Sequence, residues 1–84
     1  MAKSNPAKER RVLLKLAGVV LQYRGERNLT QEQLAAEAGI TTRYLQQLEA
    51  GKANPSYLKL VGLASALGVE TSSLIAAAEG LKSG

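Results

Sequence analysis

The sequence predicts an all-α domain, a compact bundle of five short helices, and three features carry that prediction. Apolar residues recur at three- and four-residue steps, nothing alternates with a period of two for long enough to make a strand, and glycines and hydroxyl residues punctuate the chain where helices stop and start. Helices this short do not hold alone. They must pack on one another.

Residues 1–7, with Ser4, Asn5 and Pro6, read as a flexible basic arm. From about Lys8 the pattern turns helical, with Leu13, Leu16, Ala17, Val20 and Arg24 along one stripe, and it frays near Gly25 to Asn28. Thr30 and Gln33 have the spacing of a capping box, so a second helix is expected over Gln31–Ala38, ended by the positive φ that Gly39 supplies. Thr41 caps a third helix from about Thr42 to Ala50, stopped by Gly51. Residues 52–56 form a loop by their turn chemistry, Ser56 caps a fourth helix through Leu67, and Gly68 closes it. A fifth helix runs from about Thr71 to Glu79. The domain therefore spans 8–79, with 80–84 as a frayed tail.

Eighty-four residues without an internal repeat suit one domain and leave no room for a second, ligand-sensing one. The chain is 45% apolar, and its three aromatics are all tyrosine, so the core is built from Leu, Val, Ile and Ala. It holds no cysteine and no histidine, which removes disulfides, thiolate metal sites and the commonest nitrogen ligand. No metal, cofactor or small-molecule ligand is expected. Without a histidine or cysteine nucleophile, a glycine-rich phosphate loop or a pocket-sized domain around the scattered carboxylates, an enzyme is not expected either. No apolar stretch approaches the roughly 18 residues of a membrane span, and the first residues lead into charge, so a cytoplasmic protein is expected. The net charge of +4 and pI of about 9.7 suit an anionic partner, but the excess is lopsided. Residues 1–27 hold seven basic and two acidic side chains, whereas residues 28–56 hold two and three.

The segment from Gln31 to Ala50 is the most informative: two short helices joined at Gly39. Leu34, Ala38, Ile40, Leu45 and Leu48 can meet in one small core, and Ala35 faces the partner helix where a larger residue would push the two apart. This arrangement leaves Thr41, Thr42, Arg43, Gln46, Gln47 and Ala50 on the outer side of the second helix. That outer side is either the solvated face of a helical hairpin or a surface that touches a partner.

Arg24 to Ala35, Leu48 to Lys52, Pro55-Ser56 and Leu63 to Val69 together, in order and without gaps over residues 20–75, resemble the phage-repressor and Cro-like (XRE) helix-turn-helix family. The resemblance implies a five-helix, lambda-repressor-like domain that binds double-stranded operator DNA as a symmetric homodimer and regulates transcription. It implies base contacts from Thr42, Arg43 and Gln47 and phosphate contacts from Gln31, Thr41 and Lys52. The chemistry agrees, since arginine bonds guanine and glutamine bonds adenine at two points, while hydroxyls, amides and helix N-termini suit phosphate oxygens. Tyr44 covers the core and offers its hydroxyl to a phosphate. Lys3, Lys8, Arg10 and Arg11 either grip the DNA backbone or form a solubilising tail.

The resemblance also pairs Arg24 with Glu49, an ion pair whose planar guanidinium suits a carboxylate. Two positions depart from the family pattern: Leu21 stands where relatives are frequently basic, and Ala50 replaces a polar residue before the glycine. The same fold also serves protein-interaction modules such as antitoxins and co-regulators. A surplus of apolar surface on the first helix points to a homodimer: Val12, Leu14, Val19 and Leu21 are apolar beyond the Leu13 stripe, and Leu14 and Leu21, seven residues apart, form a second face that cannot share its core. Leu14 and Leu21, completed by Leu74, Ile75 and Leu81, are the expected interface unless helix 5 and Leu81 fold back over helix 1.

Overall fold

The computed structural model describes residues 5–80, and among these are five α-helices and no strand. Helix α1 spans Pro6–Glu26 and starts earlier than the sequence suggested. Asn5, read as part of an arm, is its N-cap: the side-chain oxygen accepts from the amides of Ala7 and Lys8 at 3.0 and 3.2 Å. Pro6 then fits the first turn, where no amide donor is needed. The arm boundary at residue 7 is thus corrected, and Lys3 and the tail residues 81–84 lie outside the described residues.

The capping box at Thr30 is formed in both directions, with the Gln33 amide donating to Thr30 Oγ1 at 3.0 Å and the Thr30 amide to Gln33 Oε1 at 2.9 Å. It opens α2, Gln31–Ala38, which Gly39 ends in the left-handed conformation at φ 74°. Thr41 caps α3, Thr42–Glu49, by accepting from the Tyr44 amide at 3.0 Å. Ser56 does the same for α4, Tyr57–Leu67, and α5 covers Thr71–Ala78. The third and fifth helices each end one residue short of expectation, at positions taken by the caps Ala50 and Glu79.

The helices close into a ring: α1 packs on α3 and α5, α2 on α3 and α4, and α4 on α5. Inside it Val20, Leu34, Leu45, Leu48, Leu63, Leu67 and Leu74 are fully buried, with no buried polar residue among the described ones. Leu74 therefore has no surface to offer a partner, which corrects its place among the interface residues. Its neighbour Ile75 is half-buried and lines a groove with Val12, Leu13, Leu16, Pro55 and Leu60. Val19 packs at the edge of the core. Leu14 and Leu21 remain about half exposed, with Gly18 open between them.

Gly62 sets the approach of α4 to α2, because a Cβ there would come within 2.7 Å of the Ala38 carbonyl oxygen. Gly62→Ala gains helix propensity of up to about 1 kcal/mol and forces backbone apart at a cost of about 1 to 3 kcal/mol. The clash wins. Urea unfolding should give a net loss of about 1 kcal/mol, and a stabilised variant would show that the two helices can slide.

Candidate nucleic-acid interface

Helix α3 is strongly two-sided. Leu45 and Leu48 are buried, while Arg43, Gln46 and Gln47 are exposed and Thr42 is half-exposed. Because the inner face is locked in the core, the outer side chains project from a fixed backbone. Thr41 is exposed at the start of the helix, with its hydroxyl oxygen accepting the Tyr44 amide and its own O–H donor available to a partner.

Behind α3 runs a hydrogen-bonded chain that joins three helices. Arg24 Nε donates to Glu49 Oε2 at 2.7 Å and Arg24 Nη2 to Glu49 Oε1 at 3.1 Å, a two-point ion pair. The remaining arm, Nη1, donates to the Leu29 carbonyl at 3.0 Å, which ties α1 to the segment leading into α2. The bond to Glu49, ahead of any charge effect, raises the Arg24 pKa further above its ordinary value and keeps the guanidinium charged. Gln31 Nε2 donates to the same carboxylate at 2.8 Å, and Gln31 Oε1 accepts from Gln46 Nε2 at 3.4 Å.

The residues singled out in the sequence thus fall into separate groups. Thr42, Arg43 and Gln47 share the outer face of α3, with Thr41 at its start and Gln31 beside it at the start of α2. Gln31 is partly committed within the protein, so one of its amide hydrogens is already used. Lys52 is exposed in the loop after α3. Tyr44 is half-buried against the core, and the Lys59 ammonium stands 4.6 Å from its ring centre. Lys59 was not legible as a site residue. Lys8, Arg11 and Lys15 lie elsewhere, along a groove between α1 and α5 that Val12, Ala78 and Glu79 also line.

Sequence reasoning also missed an apolar patch on α4, where Tyr57, Leu58 and Val61 are exposed, Leu58 to 79%. No single helix among the described residues is long and apolar enough to cross a membrane.

Two short helices at a glycine turn, the second presenting a polar face from a rigid core, define the class of helix-turn-helix proteins. The chain belongs to the helix-turn-helix family, whose model matches residues 20–74. It is 43% identical over 54 residues to an uncharacterized HTH-type transcriptional regulator, y4dJ, of Sinorhizobium fredii, covering 64% of this chain and 70% of that one. It is 42% identical over 52 residues to the immunity repressor protein of Bacillus phage phi105; that match takes in 62% of this chain but only 36% of the repressor. Among solved structures it resembles the restriction-modification controller protein C.AhdI of Aeromonas hydrophila, with a TM-score of 0.72, 32% identity, and coverage of 74% and 94% of the two chains. These relatives place the chain in a family of transcriptional regulators and repressors with the all-α, lambda-repressor-like fold.

Proposed function

We propose that the chain binds double-stranded DNA sequence-specifically as a homodimer, with α3 in the major groove of each half of a palindromic operator, and so regulates transcription in the cytoplasm. The observation that carries this reading is the outer face of α3, a strip of exposed polar side chains on a helix whose other face is locked in the core. In this reading Thr42, Arg43 and Gln47 touch base edges, and Gln31, Thr41, Lys52 and the Tyr44 hydroxyl hold phosphates. The protein acts by binding, not by catalysis. Selection of bound duplexes from a random pool tests it directly: an inverted repeat with half-sites about one helical turn, roughly 34 Å, apart is expected. A pool without a shared motif would reject sequence-specific binding.

A second copy fits the Leu14 and Leu21 strip of α1, which stays about half exposed although Leu14 lies against Gly51, and the edge at Ile75. Helix α5 packs on α1, but its groove takes the Val12, Leu13 and Leu16 side. Leu81 lies outside the described residues. Sedimentation at micromolar concentration is expected to give a dimer that Leu14→Glu converts to a monomer with weakened operator binding. If Leu58→Glu does so and Leu14→Glu does not, the interface belongs to α4 instead.

The Tyr57, Leu58 and Val61 patch favours a second reading, a module whose main partner is another protein, such as an antitoxin or co-regulator. Salt separates the two. Affinity for DNA falls by about 0.9 log units per phosphate neutralised for each tenfold rise in salt, whereas an apolar protein contact barely responds.

A further inference from the structure

The outer face of α3 has two flanks, and they are built differently. With about 3.6 residues per turn, Thr42 and Gln46 run along one edge of the strip formed by Arg43 and Gln47, and Tyr44 sits along the other. The first edge meets the start of α2, where Gln46 bonds Gln31. The second meets the first turn of α4, where Lys59 Nζ lies 4.6 Å from the centre of the Tyr44 ring. A helix lodged in a major groove about 12 Å wide has a sugar–phosphate strand on each side. Polar groups of α2 face one wall.

From this placement we infer that Lys59, held over the Tyr44 ring, is the cation that neutralises a phosphate on the opposite wall, with Tyr44 as its positioning residue. The inference rests on the reading of α3 as the helix in the groove. Lys59 is exposed, and Arg24–Glu49 is the ion pair found among the described residues, so no carboxylate there competes for the ammonium. Its backbone is fixed, since its amide donates to the capping Ser56 Oγ at 3.2 Å. The ring beneath is fixed as well, packed against the core. An ammonium over a ring face is drawn to the negative quadrupole, which narrows the range of the long side chain before any partner arrives. The ring occupies one side of the ammonium and leaves N–H donors for phosphate oxygens. Lysine rotamer freedom that binding would otherwise have to remove is thus partly gone in the free protein.

The test is the salt dependence of binding by the full chain to the duplex recovered in the selection. Lys59→Gln is expected to make the slope of log K against log salt shallower by about 1.8 for the dimer, about 0.9 for one phosphate in each half-site, and Lys59→Arg to keep it. Tyr44→Phe retains the ring; it costs some affinity through the lost hydroxyl but keeps the slope, because a neutral hydroxyl displaces no counterion. Tyr44→Leu lowers the slope as Lys59→Gln does. In the free protein, NMR should find the Lys59 methylene protons shifted upfield by the ring in the wild type and in Tyr44→Phe, and unshifted in Tyr44→Leu. A wild-type slope in Lys59→Gln overturns the assignment of Lys59. A reduced slope in Lys59→Gln beside a wild-type slope in Tyr44→Leu overturns the role of the ring. If the wild-type chain selects no duplex, this inference falls together with the reading beneath it, an outcome distinct from the two others.

Discussion

Replacing Arg24 by alanine should lower the stability of the fold by about 1 to 3 kcal/mol, between what an exposed and a buried ion pair are worth, because the pair is part-buried. The Glu49 side chain is only 4% exposed, so deleting the guanidinium leaves its carboxylate with little water to take the place of the lost partner. Without Arg24, Glu49 keeps only the Gln31 amide as a partner. The Leu29 carbonyl loses its donor too. A domain of this size has a total stability of roughly 5 to 15 kcal/mol, so the loss should be plain in urea unfolding. Arg24→Met combined with Glu49→Leu removes both charges and should recover much of it, because no unpaired carboxylate remains. A stability for Arg24→Ala within about 0.5 kcal/mol of the wild type would mean that water reaches Glu49 and the pair is only a surface contact.

Arg43→Ala should weaken operator binding by about 1 to 3 kcal/mol in each half-site and relax the preference at one base pair. Arg43 is exposed on α3 and makes no hydrogen bond or ion pair among the described residues, so its removal should leave stability nearly unchanged. Lys52→Ala supplies the contrast. A phosphate contact carries no sequence information, so its loss should weaken all duplexes alike and leave the selected motif as it was. If selection with Arg43→Ala returned the wild-type motif, the assignment of Arg43 to base readout would be wrong.

Much of the fold was legible because its boundaries are written in local chemistry. Thr30 with Gln33, Gly39, Thr41, Ser56 and Gly68 each act within a few residues of themselves, and the helices begin and end at them. Asn5 was missed because the same side chain suits a turn and a cap, and only a well-formed helix beyond it decides which. What escaped was set by contacts between distant parts of the chain. Leu74 and Ile75 are adjacent and equally apolar, yet the ring closure of α5 on α1 and α4 buries the first and leaves the second at a groove. Lys59 and Tyr44 are fifteen positions apart on helices whose crossing no local pattern specifies. The exposed Tyr57, Leu58 and Val61 look like core residues in the sequence, and only the packing of α4 by its other side turns them outward.

The scarcity of aromatics has a practical consequence. With no tryptophan or phenylalanine, the ultraviolet emission of the chain comes from Tyr23, Tyr44 and Tyr57 alone. Tyr23 and Tyr44 are half-buried, and Tyr57 is in water. Tyr44 adjoins the exposed strip of α3, so the unlabelled molecule carries its own optical gauge at the surface where a partner would arrive. A Tyr23→Phe, Tyr57→Phe chain would emit from that one ring, letting its surroundings be followed in real time without a dye.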